Sequence, residues 1–183
     1  MTPLCIELPD WIGHLPSPPS DGDDEARMAF VLALVDRQIT EGTGGPFAAA
    51  VFDGVDGGVL GVAVNRVEAT SMCIAHAETM ALAMAGRAVG SYTLDGRGAV
   101  LVASTEPCAM CLGAVGWSGI ARLVCGAKDA DARAVGFDEG NKPADWMDML
   151  RSTGVVVVTG VLRARAAAGL ARYVDTGGTV YNG

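Results

Sequence analysis

The sequence predicts an α/β fold, a three-layer α/β/α sandwich around a five-stranded mixed sheet. Three observations carry that prediction. Five short apolar runs, at residues 47–52, 59–64, 99–103, 123–126 and 155–158, are separated by stretches with helical spacing. The first two runs are joined by Asp53-Gly54-Val55-Asp56-Gly57-Gly58, whose glycines suit a hairpin turn. The material between the fourth and fifth runs is long enough for a right-handed crossover, so those two strands should be parallel. A hairpin and a crossover in one sheet make it mixed.

The elements follow in order. Residues 1–23 are rich in Pro, Asp and Ser and read as an irregular arm, packed by Trp11 and Ile12. Residues 24–41 read as a helix, because Met28, Val31, Leu32 and Val35 fall at the spacing of one buried face. Gly42-Thr43-Gly44-Gly45-Pro46 ends it. The hairpin comes next. Residues 76–89 read as a helix with Met80, Ala81, Met84 and Ala88 on one side. The third run is apolar without a break, which suits a strand covered on both faces. A short helix at 108–117 opens just after Pro107. Helical stretches at 128–135 and 143–151 precede the fifth strand, and 162–173 reads as a closing helix. With no internal repeat and no linker, residues 1–183 are expected to form one domain, with 160–183 as a C-terminal segment.

Composition narrows the function. Half the residues are apolar and 19% are charged, which favours a packed globule over a disordered chain. Thirteen Lys and Arg against 21 Asp and Glu give a net charge of −8, with no basic run. Gripping nucleic acid requires cations to replace phosphate counterions, so a nucleic-acid substrate is not expected. The five cysteines, Cys5, Cys73, Cys108, Cys111 and Cys125, do not form the even pattern of a secreted disulfide framework. The first 26 residues hold no Lys or Arg, so the positively charged n-region of a signal peptide is not expected there. The longest apolar runs, about seven residues, are far short of the roughly 20 needed to span a bilayer. The expectation is a cytoplasmic protein that does not enter membranes.

The chemistry is concentrated in His76-Ala77-Glu78 and Pro107-Cys108-Ala109-Met110-Cys111. Cys108 and Cys111 share one helix face. A helix N-terminus lowers a thiol pKa and so favours the thiolate that zinc requires. One His and two Cys are three ligands, which leaves a tetrahedral position open and marks a catalytic zinc. Such a metal acidifies water, and Glu78, two residues past His76, can reach that water without being a ligand. A C-x-x-C alone is common and a His-x-Glu alone means little. In this order, with the leading Pro107, they are the signature of zinc nucleobase deaminases. Among the other candidates, Cys125 reads as core, Cys5 as incidental, Cys73 as a substitute ligand, and His14 as a surface or packing residue.

At these motifs the chain resembles the cytidine deaminase superfamily and, within it, the bacterial type of guanine deaminase. The resemblance runs from about Asp24 to the C-terminus. It includes Gly44-Gly45-Pro46-Phe47, Asn65, both zinc motifs, residues 112–117 and Gly136-Phe137-Asp138-Glu139-Gly140. It implies a cytidine deaminase-like fold with one Zn²⁺ and a small nucleobase as substrate. Phe47 would stack on the base and Asn65 would hydrogen-bond the purine edge. The backbone at Ala75 and Ala77 would contact the ring, and Trp117 would line the pocket. Asp138 or Glu139 would be a second acid near the leaving amine. It also implies a homodimer in which the C-terminal segment, with Tyr173 and Tyr181, closes over a site and is exchanged between subunits. The plainer readings are core packing for Phe47 and Trp117, a turn for Asn65 and a solvated loop for Asp138 and Glu139.

The expected reaction is hydrolysis of guanine to xanthine and ammonia, without an organic cofactor. The rivals are deamination of cytosine, guanosine, tRNA adenosine or an amino-s-triazine, and a non-catalytic zinc module. Glu78 speaks against the last, because a structural zinc has no use for it.

Overall fold

The computed structural model describes residues 5–15, 18–19 and 23–181. Residues 1–4, 16–17 and 20–22 of the expected arm, and Asn182 and Gly183 of the tail, lie outside the described residues.

Residues 24–41 become helix α1 (Asp24–Glu41), started by the Asp23 carboxylate, which accepts from Ala26 N at 2.9 Å, and stopped by Gly42 in the left-handed region. Strands β1 (Ala48–Phe52) and β2 (Val59–Val64) form the expected antiparallel hairpin. A short helix α2 (Val67–Thr70), which no apolar pattern announces, follows. Then come α3 (Ala77–Val89), β3 (Val100–Thr105), α4 (Ala109–Ser118), β4 (Arg122–Ala127), α5 (Asp129–Ala134), α6 (Trp146–Ser152), β5 (Val156–Val158) and α7 (Arg163–Asp175). A 3-10 helix, Asp10–His14, lies in the arm and buries Trp11.

The five strands form one mixed sheet in the order β2-β1-β3-β4-β5. β1 is antiparallel to both β2 and β3, whereas β3, β4 and β5 run parallel. Alternation within each central strand divides two cores. Ala48, Ala50 and Phe52, with Val102 and Val124, face Met28, Val31 and Val35 of α1 and Leu170 of α7. Ala49 and Val51, with Leu101, Ala103, Leu123 and Cys125, face Ala81 of α3, Val115 of α4 and Leu150 of α6. Both faces of these strands are therefore covered, as their unbroken apolar character requires. The alanines of β1 are small enough to let helices pack close on either side. At Gly61 a Cβ would run into the carbonyl of Ala81, so glycine is what permits α3 to lie against β2.

This arrangement positions the site. α3 and α4 both begin at the end of the sheet where β3 stops, and they present their N-termini to one another there.

Candidate metal and substrate site

His76 is the N-cap of α3 and Cys108 the N-cap of α4, each in extended backbone. Each thus sits one residue before the helix it was expected to begin. Cys111 is the third residue of α4 and is fully buried. His76 Nδ1 lies 3.5 Å from Cys108 Sγ and 3.6 Å from Cys111 Sγ. All three donor atoms fall within 4.8 Å of one another. A tetrahedral zinc with ordinary Zn–N and Zn–S lengths needs N···S separations of about 3.6 Å, so the donor set fits that metal. Cys73 is exposed and outside the cluster, Cys125 is buried in the core, and Cys5 is exposed.

Electrostatics agree with this use. The Cys111 thiol hydrogen-bonds Cys108, and His76 adds to it, so Cys108 falls to about 4 and stands as a thiolate. Burial opposes charge on His76, yet the hydrogen bond to Cys108 and the nearby Glu78 raise its pKa overall. Glu78, in the first turn of α3, is 8% exposed. Burial lifts its carboxyl to about 6, with Cys108 adding to the rise.

Facing this metal wall is a second, built from chain ends and loops. Phe47 immediately precedes β1, and its ring meets Phe137 edge-on at 4.9 Å. Tyr181, from the C-terminal segment, meets Phe137 edge-on at 5.5 Å. Phe137 is thus the centre of the aromatic wall, a role that no local pattern in the sequence marks. Glu139 is 6% exposed and lines the pocket with Glu78. Burial first, and the facing Glu78 second, push its carboxyl up to about 8. The loop carrying it is tied to the metal segment: Ala109 N donates to Glu139 O at 2.9 Å, and Lys142 Nζ donates to Pro107 O at 3.2 Å and pairs with Asp129 at 3.0 Å. Glu106 is also buried beside Lys142, and sequence reasoning passed over both.

The structure separates the two acids left open by the sequence. Asp138 also borders the pocket, but its carboxylate is 58% exposed and is taken up by Arg133 and Gly140 N, which leaves Glu139 as the inward-facing acid. Asn65 is buried beside Phe47, donating its N–H to Phe47 O. Its Oδ1 accepts from Val67 N, so the turn reading holds in part, but its buried Nδ2 has no partner among the described residues. The Tyr181 hydroxyl is likewise buried without a partner, and burial raises its pKa steeply. Buried donors left open are where a polar ligand belongs. Ala75 and Ala77 are buried beside His76. The Ala75 N–H donates to Met72 O and its carbonyl accepts from Arg66 N, whereas Ala77 opens α3 with its N–H unpaired by the helix.

The expectation for Trp117 is corrected. It is 86% exposed on the outer side of α4 and borders no part of this pocket. Cys111, Val115 and Ser118 define the inner face, and Trp117 lies roughly half a turn away from Val115. In the single chain, α7 packs on α1 and β4, and Tyr181 reaches the pocket.

Comparison with known proteins agrees with this geometry. Residues 21–127 match the cytidine and deoxycytidylate deaminase zinc-binding region. The guanine deaminase of Bacillus subtilis (strain 168) is 35% identical over 127 residues, which is 66% of this chain and 79% of that protein. A solved structure of the guanine deaminase from Nitrosomonas europaea superposes with a TM-score of 0.87 at 42% identity, covering 93% of this chain and 96% of that one. A variant of the same protein bound to 8-azaguanine superposes with a TM-score of 0.89 at 42% identity, covering 95% and 97%. With its ligand set assembled and more than half its length matched, the chain belongs to the cytidine and deoxycytidylate deaminase family and is a zinc-dependent hydrolytic deaminase.

Proposed function

We propose that this chain hydrolyses guanine to xanthine, with water entering and ammonia leaving. The observation that carries the reading is a pair of buried carboxyl groups, Glu78 and Glu139, set between the His76/Cys108/Cys111 donors and an aromatic wall. The guanine deaminase relatives support the choice of base.

Zinc held by these three residues supplies a Lewis acid that makes water nucleophilic near neutral pH. Phe47 stacks on one flat face of the base, and Phe137, packed edge-on against Phe47, excludes solvent. Asn65 Nδ2 donates to an acceptor on the purine edge, which fills its open valence. Glu78 accepts the proton of the attacking water and delivers it to the ring nitrogen next to the reacting carbon. Glu139 protonates the departing exocyclic amine and regains its proton from the intermediate's hydroxyl as the new carbonyl forms. Tyr181 closes the outer side.

A small base suits the enclosed site, and the net charge of −8 does not favour tRNA. We also infer a cytoplasmic protein, supported by five cysteines that form no disulfide. Among the described residues no helix is long and apolar enough to cross a membrane. A homodimer is supported by Trp117 and Tyr92, large exposed aromatics that both line one surface groove.

Ammonia release is to be measured across guanine, guanosine, cytosine, adenine, an amino-s-triazine and tRNA. Guanine should be the preferred substrate and tRNA inert. A clear preference for cytosine, adenine or tRNA would replace this reading.

A further inference from the structure

Asn65 is held from behind by α1 and the N-terminal arm. Gln38, in the last turns of α1, is completely buried. Its Nε2 donates to Asn65 O at 2.7 Å. Its Oε1 accepts from Thr43 Oγ1 at 2.7 Å, and that hydroxyl accepts from Trp11 Nε1 at 3.2 Å. The chain of bonds fixes which way the Gln38 amide points, since Oε1 is engaged by Thr43 and only the NH₂ can face Asn65. Trp11 is itself 7% exposed, with the Arg37 guanidinium 5.2 Å over its ring. A second tie runs alongside. Arg66, next in sequence to Asn65, donates Nε to Glu7 O at 3.0 Å and Nη1 to Thr43 O.

The backbone is shaped to permit this. A Cβ at Gly44 would collide with both Asn65 O and Gln38 Nε2, and one at Gly45 would collide with the Tyr181 ring. The Gly-Gly pair therefore lets the chain thread between the buried amide on one side and the closing tyrosine on the other, on its way to Phe47. An isolated amide costs free energy to bury unless both its ends are paired. Here both are, and the pairing ends on the residue with the open donor.

We propose that Gln38 is a positioning residue for Asn65, and that the N-terminal arm locks it through Trp11 and Thr43, so that the arm sets affinity for the purine edge without touching the base. This rests on the reading of Asn65 as a purine contact. A hydrogen bond weakens steeply when its donor is misaligned, so a small shift of Asn65 is felt in binding. The chemistry at the metal wall is left alone, because neither Gln38 nor Trp11 borders the pocket.

Two variants of the zinc-loaded full chain test it. Gln38→Met removes both polar ends at similar volume, and Trp11→Phe removes the indole donor while keeping an aromatic ring in place. The KM for guanine should rise about tenfold in the first and about threefold in the second, with kcat within about twofold. Zinc content should not change. Exchange of the Val67 amide, whose acceptor is Asn65 Oδ1, should quicken in both and reads the Asn65 side chain without any substrate. Should the wild type prefer another base, the guanine reading fails by itself, and KM for that base together with Val67 exchange still judges the relay. If Gln38→Met does not fold, Trp11→Phe decides alone. Unchanged KM with unchanged Val67 exchange, or a loss in kcat at constant KM, overturns the proposal.

Discussion

The metal wall hangs on the N-termini of two regular helices, with His76 and Cys108 as caps and Cys111 and Glu78 in the first turns. The opposing wall is made of parts that belong to no common element. Phe47 precedes a strand, Glu139 lies in a loop, Tyr181 comes from the tail, and Asn65, which backs Phe47, follows a strand. The first wall needs only two helices to start in the right place. The second needs long-range tethers: Gln38 to Asn65, Ala109 to Glu139, Lys142 to Pro107. Reaction type is thereby written into local structure, while choice of base, on the function proposed above, depends on how distant segments are braced against each other.

The largest expected effects break the metal wall. Cys108→Ser combined with Cys111→Ser should strip zinc, read by metal analysis, and abolish turnover. A double variant that keeps full zinc would refute the ligand set. Glu78→Gln should keep zinc and fold, yet lose about 10²–10⁴-fold in kcat. If it stays within a few-fold of wild type, Glu78 is not the proton carrier.

The opposing wall should respond more gently and unevenly. Glu139→Gln is expected to lower kcat by about 10²-fold, whereas Asp138→Asn should stay within about threefold. Equal losses would place Asp138 beside the amine and sharpen the comparison in its favour. Ending the chain after Thr176 removes Tyr181 and should cost roughly tenfold to a hundredfold in kcat/KM with zinc retained. A fully active truncated enzyme would show that the tail closes nothing.

The smallest effect lies outside both walls. Arg163 pairs with Asp131 at 2.8 Å and joins α7 to α5. The hydrogen bond from Arg163, the leading influence, holds the Asp131 carboxyl at about 2, below its usual 3.8. A lowered folded-state pKa means the stabilisation is complete above about pH 4 and is lost as pH falls through about 2. Asp131→Asn should therefore lower the Tm at pH 7 by on the order of 2 °C, with the two proteins converging near pH 2. Turnover at pH 7 should not change. Thermal scans across pH check the first and an ammonia assay the second.

Much of this protein was determined by sequence alone, for a physical reason. The sheet and its helices follow from apolar periodicity, which local backbone geometry imposes, and each expected strand and major helix lies within a few residues of its place. The metal set follows too, because His76 with Glu78 and Cys108 with Cys111 are close in the chain and a helix start converts that closeness into a shared face. Tertiary structure alone decided the rest. Trp117 points away from the pocket because the inner face of α4 is set by what packs on β3 and α3, which a resemblance between motifs does not fix. Gln38, Glu106 and Lys142 carry no local pattern, Phe137 had no role assigned within its Gly136–Gly140 stretch, and the partners of these four lie from 5 to 90 positions away. Glu139 parted from Asp138 only when folding turned one carboxylate inward and left the other to Arg133 and water. Adjacent residues of like chemistry cannot be told apart by sequence, since burial, which separates them, is a property of the folded chain.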